Sequence, residues 1–226
     1  FSKKGIEIIK KFNGMFSIVI YDKKKKALYL IRDRLGTKPL YFTKKNGYFY
    51  FASEIKALPV KKNINNNNIK NYLDFGKYPV LNTFFNNINN VPASTVIKIK
   101  KNNLEKIKYF NIEEEVLKNK NEGFSKEKFE DLLKKAVSIR QRSDKKINFH
   151  LSGGIDSTAL LIYTKDNWSS KYDLSSSSYS YFGYKDDEYK FISRISKKIK
   201  VKKNKILLLP DEVPQLAEKL QYFQDE

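Results

Sequence analysis

The chain has 226 residues, 40% hydrophobic and 14% aromatic, which suits one large or two small folded domains and excludes a disordered chain. Its 45 Lys and Arg against 25 Asp and Glu give a net charge of +20, but the excess is nearly all Lys and is spread along the chain, so nucleic acid is not the expected partner. There is no Cys, which excludes disulfides, thiolate metal sites and a thiol nucleophile within these residues and fits a reducing compartment.

Residues 1–12 are Lys-rich and lack the apolar segment of a signal peptide. No apolar run in the chain approaches the roughly 20 residues of a membrane span. Residues 15–22 and 27–31 read as strands joined by a lysine turn at 23–26. Residues 40–42 and 48–52 flank Lys44-Lys45-Asn46-Gly47, a hairpin signal. Residues 96–100 and 107–110 flank Asn102-Asn103, which predicts another hairpin. These aromatic-rich antiparallel strands predict a layered β domain with some helix. The asparagine-rich stretches 65–68 and 86–90 read as polar loops, and the charged stretch 113–124 reads as a linker.

The second half alternates helix and strand. Ser125 is placed to cap a helix with Phe129, Leu132, Leu133, Ala136, Val137 and Arg140 at helical spacing. Strands follow at 147–151, 175–182 and 205–209. Between the last two, Asp186 or Asp187 caps a helix with Phe191, Ile192, Ile195 and Ile199 on one face. Pro210 and Asp211 open a final helix with Val213, Leu216, Ala217 and Leu220 inside. This order predicts a parallel sheet with helices on both faces, which binds ligands at the carboxyl ends of its strands.

The run from Ile147 to Leu161 carries the chemistry: an apolar strand, then Ser152-Gly153-Gly154-Ile155-Asp156-Ser157, then an apolar helix. Two glycines let backbone N–H groups converge on an anion, and the following helix points its positive end at the same place. Ser152, Ser157 and Thr158 add hydroxyl donors. Asp156 beside a phosphate makes sense when a divalent cation sits between them. The run is not a Walker A loop, since no Lys follows the glycines.

The pattern Ser152-Gly153-Gly154-x-Asp156-Ser157 resembles the PP-loop of ATP pyrophosphatases, which cut ATP between the α and β phosphates. Three further segments resemble the glutaminase half of glutamine-hydrolysing asparagine synthetases: Asn13-Gly14-Met15-Phe16, the Arg32-Asp33-Arg34-Leu35-Gly36-Thr37-Lys38-Pro39-Leu40-Tyr41 run, and Ser53-Glu54-Ile55-Lys56-Ala57-Leu58. Asp187-Glu188 is similar to the Asp-Glu after that family's next strand, and Asp225-Glu226 to the start of its Asp-Glu-Pro.

The resemblance implies an α+β glutaminase domain of the N-terminal-nucleophile type over residues 1–112, a linker at 113–124, and an α/β parallel-sheet PP-loop synthetase domain over 125–226, both domains partial. It implies a cytoplasmic ligase that converts aspartate to asparagine through a β-aspartyl-adenylate, with glutamine, aspartate and ATP as substrates, Mg²⁺ as metal, and AMP and pyrophosphate as products. A homodimer is compatible with it. Leu151, Ser152, Gly153, Gly154, Ile155, Asp156, Ser157 and Tyr181 would bind ATP, with Asp156 and Asp225 on Mg²⁺.

The family's glutaminase nucleophile is an N-terminal Cys, and this chain has none, so no catalytic residue is assigned and the chain reads as an internal fragment. Arg32 and Asp33 are read as holding a turn in preference to lining a route for ammonia. His150, the single histidine, alternates with Phe149 and Leu151 and is read as structural in preference to a proton shuttle. The alternatives are the same machinery acting on a sugar or peptide carboxylate, a PP-loop tRNA-modifying protein, or a non-catalytic relic.

Overall fold

Alternating apolar residues form an antiparallel pair, β1 (Ser17–Asp22) and β2 (Ala27–Arg32), with Ser17 opposite Arg32 and Asp22 opposite Ala27. Asp22 Oδ1 accepts from the Lys25 N–H at 3.0 Å and closes the lysine turn, which puts Lys26 at φ 47°. The next hairpin is β3 (Tyr41–Lys45) and β4 (Tyr48–Ala52). Asn46 and Gly47 take φ 51° and 80°, as a two-residue hairpin turn requires. β5 (Asn89–Asn90) adds to the other side of β3. The third hairpin is β6 (Thr95–Lys100) and β7 (Asn103–Lys108). Its turn residues are Lys101 and Asn102, at φ 48° and 66°, one position earlier than the expected Asn102-Asn103.

The structure, a computed structural model, describes residues 1, 3–76, 83–120, 123–168, 173–181, 183–185 and 187–225. Phe182, Asp186 and Glu226, which the sequence places in a strand, a cap and a motif, lie outside the described residues. The chain divides into two units: Phe1–Asn121 with Leu220–Glu226, and Glu122–Lys219.

In the first unit the strands form two antiparallel sheets, β1-β2-β6-β7 and β4-β3-β5. Leu30, Ile97 and Ile99 from one sheet pack with Leu40, Phe42 and Val91. On the other face of the larger sheet, Ala27, Tyr29, Ile31 and Val96 pack with Tyr109 and with Ile9 from the 3-10 turn Gly5–Lys11. Central strands buried on both faces remove far more apolar area from water than half-exposed ones, which makes β2 and β6 the anchor of the unit. Two stretches read as irregular are helical. The Asn65 side chain accepts from the Asn68 N–H at 3.2 Å and caps α1 (Asn66–Phe75), which Gly76 ends at φ 61°. α2 (Ile112–Lys118) occupies much of the expected linker, capped by Asn111 and with Glu113, Glu114 and Glu115 at its positive end.

In the second unit, α3 (Lys126–Arg140) starts at Ser125, whose Oγ accepts from the Lys128 N–H. Val137 is its buried residue, while Phe129 and Leu132 are exposed, against expectation. Then come β8 (Asn148–His150), α4 (Ile155–Asp166), β9 (Ser175–Tyr181), α5 (Tyr189–Ile199) and β10 (Lys202–Leu208). The three strands form a parallel sheet in the order β10-β9-β8. Leu151, Leu161, Leu174, Ile192 and Val201 make the core, with Phe149, Ile195 and Ile199 against it. The register puts Phe149, Ser176, Ser178 and Ser180 on the face toward this core. The opposite face keeps His150, Tyr179, Tyr181 and Ile206 exposed, so the described residues cover one face where two were expected. α6 (Val213–Gln224) follows the 3-10 turn Pro210–Glu212, and its expected inner residues Val213, Leu216 and Leu220 are exposed.

Candidate functional site

The short strand β8 delivers Leu151 into the core, where it is 2% exposed, and the chain turns at once into the glycine loop. Gly153 holds φ +83°, which L side chains rarely adopt. A Cβ there would also lie 3.1 Å from Ile192 Cγ1 and 3.4 Å from Phe191 Cδ1. Gly153 is therefore fixed twice, by backbone conformation and by the close approach of α5. Gly154 precedes α4 with ordinary extended angles, φ −71° and ψ 163°, and provides no side-chain cap. The amides of the first turn are thus left for a ligand or water.

The hydroxyls of Ser152 and Ser157 tie the loop to the helix. Their Oγ atoms are 3.1 Å apart, and the Ser157 hydroxyl reaches the Gly154 carbonyl at 3.3 Å. The Ser152 N–H donates to Ser157 Oγ, and the Gly154 N–H to Ser152 Oγ, both at 3.4 Å. These long bonds are easily exchanged for an anionic acceptor. Asp156 stands exposed in the first turn of α4, where the helix dipole favours its charge.

A cavity of about 290 Å³ opens at the carboxyl ends of β8 and β9. Leu151, Ser152 and Tyr181 line it, together with Ile192, expected on the apolar face of its helix, and with Ser177 and Ser178, which the sequence did not single out. Asp187 and Glu188 close it from the start of α5. Ser178 Oγ is buried without a hydrogen-bond partner among the described residues, a polar atom left for a ligand or water. His150, read from the sequence as structural, is exposed on this wall and stacks on Tyr179 at 6.4 Å. Gly153, Gly154 and Ile155 face instead a second groove, between α4 and α5, that also includes Ile162 and Phe191.

Asp225 belongs to the first unit. Its carboxylate accepts from the backbone N–H groups of Ile55 at 2.7 Å and Lys56 at 3.2 Å, and from Lys56 Nζ at 3.2 Å. In the same unit Arg32 and Asp33 hold a turn. The Arg32 guanidinium donates to the carbonyls of Gly36, Lys38 and Val91 and to Asn90 Oδ1. Burial pushes the Asp33 carboxyl up, and the backbone N–H groups of Lys38, Thr37, Leu35 and Phe16 more than offset this, holding it below the usual carboxylate range. The Tyr109 hydroxyl donates to the Arg32 carbonyl at 2.8 Å, and burial followed by the Asp33 charge pushes that phenol up to about 12.

Residues 1–110 match the family model described as a glutamine amidotransferase domain, and residues 128–226 match the one described as asparagine synthase. A Methanocaldococcus jannaschii protein, provisionally named glutamine-hydrolysing asparagine synthetase 2, is 32% identical over 170 residues, covering 71% of this chain and 33% of its own length. Glutamine-hydrolysing asparagine synthetase 1 of Bacillus subtilis is 32% identical over 164 residues, covering 71% of this chain and 26% of its own length. Asparagine synthetase 2 of the same organism is 31% identical over 179 residues, with 71% and 24% covered. The chain spans about a third or less of the length of these relatives. Both family models meet in one chain, and the relatives carry one name, so the chain belongs to the glutamine-hydrolysing asparagine synthetase family.

Proposed function

We propose that the protein carrying this chain is an ATP- and glutamine-dependent amide ligase that converts aspartate to asparagine. The observation that carries this reading is the glycine loop, whose Ser152 lines the cavity at the carboxyl ends of β8 and β9, within the segment that matches asparagine synthase. The amides of 152–154 and the start of α4 would hold the phosphates of ATP, with the hydroxyls of Ser152 and Ser157 exchanging their mutual contacts for phosphate oxygens. Leu151, Tyr181 and the free hydroxyl of Ser178 would hold the base and sugar.

The residues suit Mg²⁺ as a partner of the phosphates: Asp156 offers an exposed hard oxygen ligand in the first turn of α4, beside helix amides that no side chain caps. Mg²⁺ would supply charge neutralisation on the departing pyrophosphate. Asp225 would serve as a second ligand from a carboxylate that already accepts from Ile55 and Lys56.

In this proposal an aspartate side-chain oxygen attacks the α-phosphorus, and pyrophosphate leaves. Ammonia from glutamine then attacks the β-aspartyl-adenylate, and AMP leaves. The thiol for glutamine hydrolysis is not among these 226 residues, since the chain has no Cys. The test supplies the complete reading frame with aspartate, ATP and glutamine and follows phosphorus by NMR. AMP and pyrophosphate in step with asparagine are expected; ADP and phosphate would overturn the proposal.

A further inference from the structure

Ser180 is 1% exposed near the end of β9, on the face that meets the core. Its hydroxyl donates to Asp187 Oδ2 at 2.5 Å, across the loop that leaves the strand. The other oxygen, Oδ1, accepts from the Tyr189 N–H at 3.0 Å. Glu188, at the N-terminal boundary of α5, makes no side-chain cap, so Asp187 does the capping from one residue earlier. One carboxylate thus joins the end of a strand to the start of a helix.

That first turn of α5 is also the wall behind the glycine loop. The atoms that a Cβ on Gly153 would meet are Ile192 Cγ1, Phe191 Cδ1 and Glu188 Oε2, at 3.1, 3.4 and 3.7 Å. Ile192 further packs in the core with Leu151, the residue just before the loop. The bond from Ser180 to Asp187 is therefore linked through one turn of helix to the backbone at Gly153. The Ser180 hydroxyl, and then the Tyr189 N–H, hold the Asp187 carboxyl below its ordinary range, so it is charged at neutral pH, where the positive end of α5 favours it.

We propose that Ser180 and Asp187 form a latch that sets the shape of the 152–157 loop through the first turn of α5, and that Asp187 is a positioning residue for the nucleotide. This rests on the nucleotide reading above. Asp187 lies on the cavity wall, but its oxygens are turned to Ser180 and Tyr189, so its effect on the ligand passes through α5. A simple helix cap would stabilise α5 and leave nucleotide affinity untouched; the latch makes affinity depend on a hydroxyl near the end of β9.

The test measures Mg-ATP binding by calorimetry, with hydrogen exchange and thermal midpoints in the absence of nucleotide, on the complete protein that carries this chain. The variants are Asp187→Asn, Ser180→Ala, Ser180→Thr and the double Ser180→Ala/Asp187→Asn. Asp187→Asn keeps the shape and Ser180→Thr keeps the hydroxyl, so neither opens a cavity in the core. Asp187→Asn and Ser180→Ala are each expected to weaken Mg-ATP on the order of tenfold, as loss of a charge-assisted hydrogen bond does. The double variant should bind no more weakly than either single one, because both remove one bond. Ser180→Thr should restore affinity, and amides 152–154 should exchange faster in Asp187→Asn. Unchanged affinity in both single variants, with faster exchange confined to α5, would overturn the latch and leave the nucleotide reading standing. Failure of the unsubstituted complete protein to bind Mg-ATP would overturn both.

Discussion

Arg32 and Asp33 are adjacent in sequence and clamp one loop with opposite charges. Arg32 takes the carbonyl oxygens of Gly36 at 2.6 Å and Lys38 at 2.9 Å, while Asp33 takes the N–H groups of Leu35, Thr37 and Lys38 at 2.9–3.1 Å. Asp33 also reaches the Phe16 N–H at 3.2 Å, and Arg32 the Val91 carbonyl at 2.8 Å, so the clamp ties the loop to both neighbouring segments. Asp33→Asn should lower the stability of the first unit by about 2–3 kcal/mol, because an amide replaces a charged acceptor of several N–H groups. Urea unfolding followed by tyrosine fluorescence checks this.

The same residue predicts an acid response. The folded Asp33 carboxyl lies below its ordinary value, so its stabilisation is complete above the unfolded value, near pH 4. It is lost as pH falls from there through the folded value. The urea midpoint of the unsubstituted chain should drop over that acid range, and the drop should be shallower in Asp33→Asn. Equal slopes would mean that other carboxylates control acid unfolding.

The two glycines of the candidate loop should respond differently. Gly153→Ala forces a side chain into a left-handed backbone and to 3.1 Å from Ile192, so it should abolish detectable Mg-ATP binding. A Cβ at Gly154 meets only Ser152 Oγ at 3.5 Å, an ordinary contact. Gly154→Ala should therefore leave thermal stability near that of the unsubstituted chain. Its nucleotide affinity then reports how closely the phosphate approaches the backbone.

Asp225→Ala separates two roles. Loss of the bonds to Ile55 and Lys56 should destabilise the first unit by about 1–3 kcal/mol whether or not nucleotide is present. A metal role predicts in addition a weaker dependence of ATP binding on Mg²⁺. Calorimetry over a Mg²⁺ series distinguishes them.

The 226 residues alone should hydrolyse no glutamine, since they contain no thiol to attack the amide. Ammonia release above background in a coupled dehydrogenase assay would refute the assignment of that chemistry to a cysteine.

Local chemistry made some of this legible in advance. The Asn46-Gly47 hairpin reads clearly because few other residue pairs accept two positive φ angles. The glycine loop reads clearly because its hydroxyls, glycines and carboxylate are contiguous. α1 was hidden because an asparagine run resembles a loop until Asn65 is seen capping and Gly76 ending it. The apolar spacing of α6 is real, but spacing does not say what covers a face, and Leu216 and Leu220 are exposed. Ser178 and Ser180 read only as strand residues, because serine in a strand has many uses. The partnership of Ser180 with Asp187 exists only once the chain folds back over seven positions.

Among the described residues, three turns carry lysine where the backbone is left-handed: Lys26, Lys101 and Lys200, at φ 47°, 48° and 59°. Each costs about 1 kcal/mol relative to a residue without a Cβ clash, so the lysine-rich composition has been accepted at the expense of turn chemistry. The sites are far from the glycine loop in sequence or at the opposite end of α5 from it, and glycine or asparagine at each would relieve the turn. The molecule therefore holds an unspent margin of thermal tolerance, available without touching a residue that the proposed chemistry uses.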